Sequence, residues 1–206
     1  MIVEWPVLAA FVPVALALNL TPGADMLFCL GQGLRGGPRA ALAADAGIAA
    51  GCMAHVTVAG AGLGAVIAGM PWAFEAIRWA GVAYLLWLAR GLLRGSAAGK
   101  PGRATRAGRA FRDGLVVNLT NPKVILFVLA LLPQFVDPAR PVLPQFLVLG
   151  AVLGLGGFVV NGVVGICAGG VGQRLARSAV AARWIGRTTA LILLALAVRL
   201  AGLQRS

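Results

Sequence analysis

Asn19-Leu20-Thr21-Pro22-Gly23-Ala24-Asp25 interrupts one of the most apolar segments of the chain, between Val3–Leu18 and Met26–Leu30. In water, a Pro-Gly pair followed by an acid reads as a turn. Here it reads as a broken membrane helix. A break frees backbone amides and carbonyls, which at membrane depth must face protein, water or a ligand. Asp25 sharpens the reading, because an ionisable residue inside a membrane segment marks function by default. The second half of the chain echoes the stretch with Asn118-Leu119-Thr120-Asn121-Pro122-Lys123. Both copies begin Asn-Leu-Thr and reach Pro within two residues, and the chain reads outward from them as two halves.

Composition places those halves in a bilayer. Of 206 residues, 60% are hydrophobic and only 12% charged, and the mean hydropathy is +0.90. Soluble domains carry about twice that share of charge. No length remains for a sizeable soluble domain. The net charge of +12 comes from 18 Lys and Arg against 6 acids. These bases lie in short clusters between apolar spans, which reads as membrane topology and not as nucleic-acid binding. Cys29, Cys52 and Cys167 stand alone in apolar surroundings and read as small buried hydrophobes. No nucleotide, dinucleotide or metalloprotease motif is present, so neither a cofactor nor a metal is expected. The first residues lack a positive n-region, so residues 1–20 are expected to stay in the mature protein.

Six spans follow. Span one covers about Ile2 to Leu34, roughly 50 Å as a helix, too long for one straight crossing of a ~30 Å core. Gly36, Gly37 and Pro38 end it. Span two covers about Ala40 to Gly69, span three about Phe74 to Leu93, span four about Gly114 to Phe135, span five about Val142 to Val171 and span six about Trp184 to Leu203. Glycines four apart (Gly47 and Gly51, Gly60 and Gly64, Gly150 and Gly154, Gly165 and Gly169) mark spans two and five as close-packing helices. Arg94 to Arg112 carries six bases and no acid and reads as a flexible, solvated loop.

The halves correspond in order. Each has a broken helix, a glycine-rich helix with His55 or Asn161 near its middle, and a helix opened by Arg78-Trp79-Ala80-Gly81 or Arg183-Trp184-Ile185-Gly186. Three spans per half turn the second half over. The expectation is an all-α integral membrane protein of six transmembrane helices, built as two inverted three-helix repeats with broken helices in spans one and four. It forms a single transmembrane domain, 1–206: repeat one about 1–94, a basic cytoplasmic loop about 95–112, repeat two about 113–206. Such repeats typify secondary transporters, with the site where discontinuous helices meet. Lys and Arg concentrate after spans one, three and five, so those loops are cytoplasmic and both termini face outward.

The candidate site residues cluster at the breaks. Asp25 reads as a carboxylate for a substrate ammonium or a proton, and equally as the cap of the helix that restarts there. Lys123 either snorkels to the interface, pairs with Asp25, or binds a substrate carboxylate. The unwound backbone at Thr21, Pro22, Gly23, Asn121 and Pro122 offers amides and carbonyls, so both charges of an amino acid find partners there. Asn19, Asn118 and Asn121 either join that site or satisfy freed backbone groups. Asp45 reads as an ion pair with Arg39 at the inner interface or as a proton carrier. His55 reads as a proton relay or as a hydrogen-bonded packing residue. A passive small-solute channel and an intramembrane enzyme using Asp25, Asp45 and His55 are the alternatives; no Ser or Cys stands beside His55 in a nucleophile motif.

Taken together, Asn19-Leu20-Thr21-Pro22-Gly23-Ala24-Asp25-Met26, Gly47-Ile48-Ala49-Ala50-Gly51 through His55, Ala80-Gly81-Val82-Ala83-Tyr84-Leu85-Leu86-Trp87-Leu88, Phe111-Arg112-x-Gly114 through Asn118-Leu119-x-Asn121-Pro122-Lys123, and Leu132-Pro133-Gln134-Phe135-Val136 resemble the bacterial lysine exporter and homoserine/threonine exporter (LysE/RhtB) family. The likeness covers most of residues 10–140 and rests mainly on hydrophobicity after Val142. Family members often have Pro where this chain has Ala24. The resemblance implies export of amino acids or close derivatives across the bacterial inner membrane, driven by the proton gradient. The expected partners are a small amino acid and the lipid bilayer, with a homo-oligomer open and the substrate unassigned.

Overall fold

The computed structural model describes residues 2–69 and 107–169, together with positions 79, 82, 83, 86, 90, 184, 187, 191, 194, 195 and 198. The described residues are helical, with no strand among them. We number five α-helices: α1 (Trp5–Leu20), α2 (Ala24–Gly69), α3 (Ala107–Leu119), α4 (Pro122–Leu126) and α5 (Val142–Ile166). α4 runs on through a π turn, Phe127–Leu131, and a 3-10 turn, Leu132–Phe135. Among the described residues, two helices are long and apolar enough to cross a membrane, Ala24–Gly62 and Val142–Ile166. They become three if α3 and Pro122–Phe135, bent by 50°, form one span.

α2 is two legs. Gly37 has φ 74° and ψ −174°, a conformation that needs a residue without a Cβ. Pro38 opens the second leg, where its missing N–H costs nothing. The second leg returns along the first, so Cys29 packs with Ala44 and Ile48, and Ala110 of α3 closes that small core. α3 is already helical at Ala107, inside the basic stretch that composition reads as a solvated loop. Arg109 and Arg112 are therefore helical, while Ala110 is buried between them.

The two Asn-Leu-Thr stretches end their helices in the same way. Leu20 and Leu119 are the last helical residues. The Thr21 hydroxyl donates to the Ala17 carbonyl at 2.6 Å, and the Thr120 hydroxyl donates to Val116 at 2.8 Å. Their backbone amides reach the same two carbonyls, at 3.2 and 3.0 Å. Each threonine thus satisfies a terminal carbonyl with its own side chain, a local bond that competes with continued helix. Pro22 and Pro122, next or next but one, bring no backbone donor.

Glycines set the helix crossings. A Cβ on Gly47 would strike the Phe111 carbonyl, and one on Gly114 would strike the Ala44 carbonyl, so α2 and α3 meet backbone to backbone. Gly33 lies against Gly165, Gly60 against Phe146, and Gly150 against Val56, joining α2 to α5. The main core lies where α1, α2, Val124–Phe135 and α5 meet. Phe11 is its centre, tilted against Phe127 and edge-on to Phe135 at 5.1 Å. Val82 and Leu194 reach this core from predicted spans three and six. Apart from the single positions given above, those two spans, including their Arg-Trp-x-Gly openings other than Trp79 and Trp184, lie outside the described residues.

Candidate functional site

The end of α1 and the gap between α3 and α4 face each other. Thr21 is extended (φ −69°, ψ 119°), which leaves its carbonyl outside any helix. The Lys123 ammonium donates to that carbonyl at 2.7 Å. Its stem passes Gly23, where a Cβ would lie 3.4 Å from Lys123 Cδ and 3.5 Å from Nζ. Lys123 therefore reaches inward to the other break and does not snorkel.

Asp25, one residue into α2, is half-buried. Its Oδ2 accepts from Asn118 Nδ2 at 2.9 Å, while its Oδ1 is enclosed with no partner. Lys123, Asn121 and His55 are its other polar neighbours. Asn118 is buried against Gly51, where a Cβ would sit 2.8 Å from Asn118 Oδ1. That oxygen also lacks a partner. The Asn118 carbonyl lies 3.3 Å from His55 Nε2, so the Nε2–H tautomer of the imidazole donates to it. Asn121 is the N-cap of α4, its Oδ1 accepting from the Lys123 amide at 3.0 Å.

The structure thus gathers Thr21, Gly23, Asp25, His55, Asn118, Asn121 and Lys123. Pro22 and Pro122 shape the two gaps, and Pro122 is exposed at the first position of α4. Asn19 stands apart: its Nδ2 donates to the Leu153 carbonyl of α5 at 3.0 Å, and its side chain lies on Gly156 and Gly157. Asp45 corrects a sequence expectation. It is not an interfacial partner of Arg39; it is fully buried, with neither carboxylate oxygen hydrogen-bonded. The second leg of α2 turns it inward, towards Gly162 and Asn161 of α5.

Sequence reasoning passed over three groups. Gln32 is fully buried in the first leg of α2, and the amide between Gly31 and Gly33 was its only signal. Gln145 exchanges hydrogen bonds with the Asp137 backbone, both at 2.9 Å, and pins the loop before α5. Gly51, expected only to pack helices closely, also seats Asn118, and Gly162, which the spacing pattern did not include, seats Asp45.

Comparison with known proteins bears on this arrangement. The chain is 40% identical over 146 residues to a homoserine/homoserine lactone efflux protein of Salmonella typhimurium, covering 68% of this chain and 70% of that protein. It is 40% identical over 147 residues to an uncharacterized membrane protein of Vibrio cholerae, with the same coverage. It is 34% identical over 135 residues to a leucine efflux protein of Salmonella choleraesuis, covering 62% of each chain. No solved structure matches it. The family model for the LysE type translocator matches residues 16–204. Nearly the whole chain is covered by that match, and the chain belongs to the LysE type translocator family.

Proposed function

We propose that this protein is a secondary active exporter of amino acids or close derivatives across the bacterial inner membrane, coupled to the proton gradient. The observation that carries the reading is the polar cluster between the two breaks. Asp25 Oδ1 and Asn118 Oδ1 are enclosed acceptors with no donor. Lys123 spends one of three N–H groups on Thr21. Enclosed acceptors without a donor cost free energy, and an incoming ammonium supplies the donor. Lys123 and the amides of the second break then meet an oxygen acceptor on the same molecule. This pairing suits an amino acid, and it suits an amino lactone too, because both carry an ammonium beside a carbonyl oxygen. Homoserine, homoserine lactone and leucine, taken from the names of the relatives, are the first candidates.

The six-span inverted repeat belongs to this proposal. It is supported by the matched ends of α1 and α3. It is also supported by Asn19 lying on Gly157 of α5 while Asn118 lies on Gly51 of α2. In the proposed cycle, substrate enters from the cytoplasm between the broken helices and its ammonium meets Asp25 and carbonyls of the first break. Its oxygen acceptor meets Lys123 and the second break. The halves then rock, and substrate leaves outward in exchange for a proton carried on Asp25, His55 or Asp45. Both termini face outward.

Transport in reconstituted vesicles tests this. All twenty amino acids, homoserine and homoserine lactone are screened with and without an imposed pH gradient. Saturable, gradient-dependent movement of one or a few is the expected result. Movement that never saturates and ignores the gradient would mean a channel instead.

A further inference from the structure

Asp45 is a buried acid that the substrate site does not use. Its side chain is fully enclosed and both its oxygens lack hydrogen-bond partners. Oδ2 sits against Gly162, where a Cβ would come within 3.1 Å. The groups facing it are Asp25 and Cys29 from the first leg of α2 and the uncharged amide of Asn161 from α5. Lys123 and His55 act on Asp25, and no cation among the described residues pairs with Asp45. A carboxylate enclosed in this way needs a positive partner. A metal ion needs several ligands, and no group of three His, Cys, Asp or Glu capable of holding one exists among the described residues.

We propose that Asp45 is the binding site of the coupling proton, separate from the Asp25 site that takes substrate, and that its loading closes the seam between α2 and α5. This rests on the exporter reading above and deepens it. A proton needs no cage. The Asn161 amide has both a donor and an acceptor, so it serves the acid in either state. The seam is glycine-tight at Gly33 and Gly165 and at Gly150 and Val56. It closes over a neutral Asp45, whereas a charged one draws in water and parts it. Asp25 gives the cycle its direction. An ammonium on Asp25 cancels the charge that Asp45 feels, so substrate arrival favours release of the Asp45 proton. Reloading that proton from outside neutralises Asp45, which withdraws a negative charge that helped hold the ammonium and so favours substrate departure. The result is an exchange of one ligand for the other.

The test compares wild type with Asp45→Asn in proteoliposomes. The probe is homoserine, or the amino acid wild type moves in the vesicle screen. A wild type that moves none removes the exporter reading and this proposal together. The expected variant still exchanges labelled for unlabelled substrate without a gradient and has lost all stimulation by a pH gradient. Substrate added to wild type in weakly buffered detergent should release protons to an indicator dye, with no release from Asp45→Asn. Gradient-driven transport by Asp45→Asn with the wild-type pH profile would overturn the proposal and leave the exporter standing. So would loss of exchange in the variant, which would place Asp45 in the substrate site. Absence of proton release from wild type, or transport that follows a sodium gradient and ignores pH, would also overturn it.

Discussion

Lys123, the second residue of α4, donates its ammonium to the carbonyl of Thr21, the first residue beyond α1, at 2.7 Å. A cation thus holds the free carbonyl of one helix break from the start of the helix that follows the other. Between them, Asn118 ties the same two regions together through Asp25. The two breaks form one polar centre, in which their separate sequence signals meet.

Lys123→Met should remove that brace and, on the function proposed above, a donor for substrate. A hydrogen bond to a charged group contributes about 1.5–3 kcal/mol, so transport efficiency should fall by about ten- to a hundredfold on that principle. Lys123→Arg keeps the charge but replaces a compact head with a planar fork, and it should fall between the two. Initial rates of substrate exchange check this. A Met variant with wild-type exchange and only a lowered melting temperature would reduce Lys123 to a structural strut.

Asn118→Ala leaves Asp25 Oδ2 without its donor and opens space beside Gly51. A buried polar group left unpaired costs about 1–3 kcal/mol, visible as a lower melting temperature in detergent. Asn118→Asp should be worse at pH 8 than at pH 6, because it places a second carboxylate within hydrogen-bond distance of the first. Melting curves at both pH values decide the point; equal losses at both would mean that Asn118 contributes shape and not charge compensation.

The breaks were legible because their chemistry is local. A threonine that bonds back one turn and a proline without an N–H act within a few residues, and the glycine spacings foretold the close contacts at Gly47, Gly51, Gly60, Gly150 and Gly165, though not the open surroundings of Gly154. The family was legible for the same reason, since its motifs sit on these stretches. Asp45 was not. Its sequence neighbourhood offers Arg39, and only the return of α2 at Gly37 turns it towards Gly162 on another helix. Asn19 looks equivalent to Asn118 by motif, yet its partner is a carbonyl of α5. The helical character of Ala107–Arg112 was hidden by basic composition, because the burial of Ala110 depends on Cys29 and Ile48.

Glu4 and Arg140 form an ion pair at 2.6 Å, and Arg140 also reaches Asp137 at 3.2 Å. The side chains of Glu4 and Arg140 are 55% and 42% exposed, so water and salt weaken the pair, and such pairs contribute about 0–1 kcal/mol. Glu4→Gln should therefore shift stability by less than about 1 kcal/mol. The shift should shrink in high salt. A large, salt-independent loss in melting temperature would mean that this link holds the segment before α1 to the loop before α5 more firmly than its exposure implies.

Glycine substitutions should separate into three classes. Gly47→Ala and Gly114→Ala each drive a methyl group into a backbone carbonyl of the facing helix, Phe111 or Ala44. Backbone cannot swing aside as a side chain does, and overpacking of this kind costs about 1–3 kcal/mol, so both should melt earlier. Gly62 and Gly108 have nothing within 4 Å of a Cβ, and alanine there should melt at or slightly above wild type, since glycine inside a helix costs up to about 1 kcal/mol. Gly51→Ala meets the side chain of Asn118 at 2.8 Å instead of a backbone. That side chain has room to shift only by pulling on Asp25. Gly51→Ala should therefore lose exchange activity out of proportion to its melting temperature. If its two losses match those of Gly47→Ala, Gly51 is a packing glycine like the others and Asn118 is not tensioned by it.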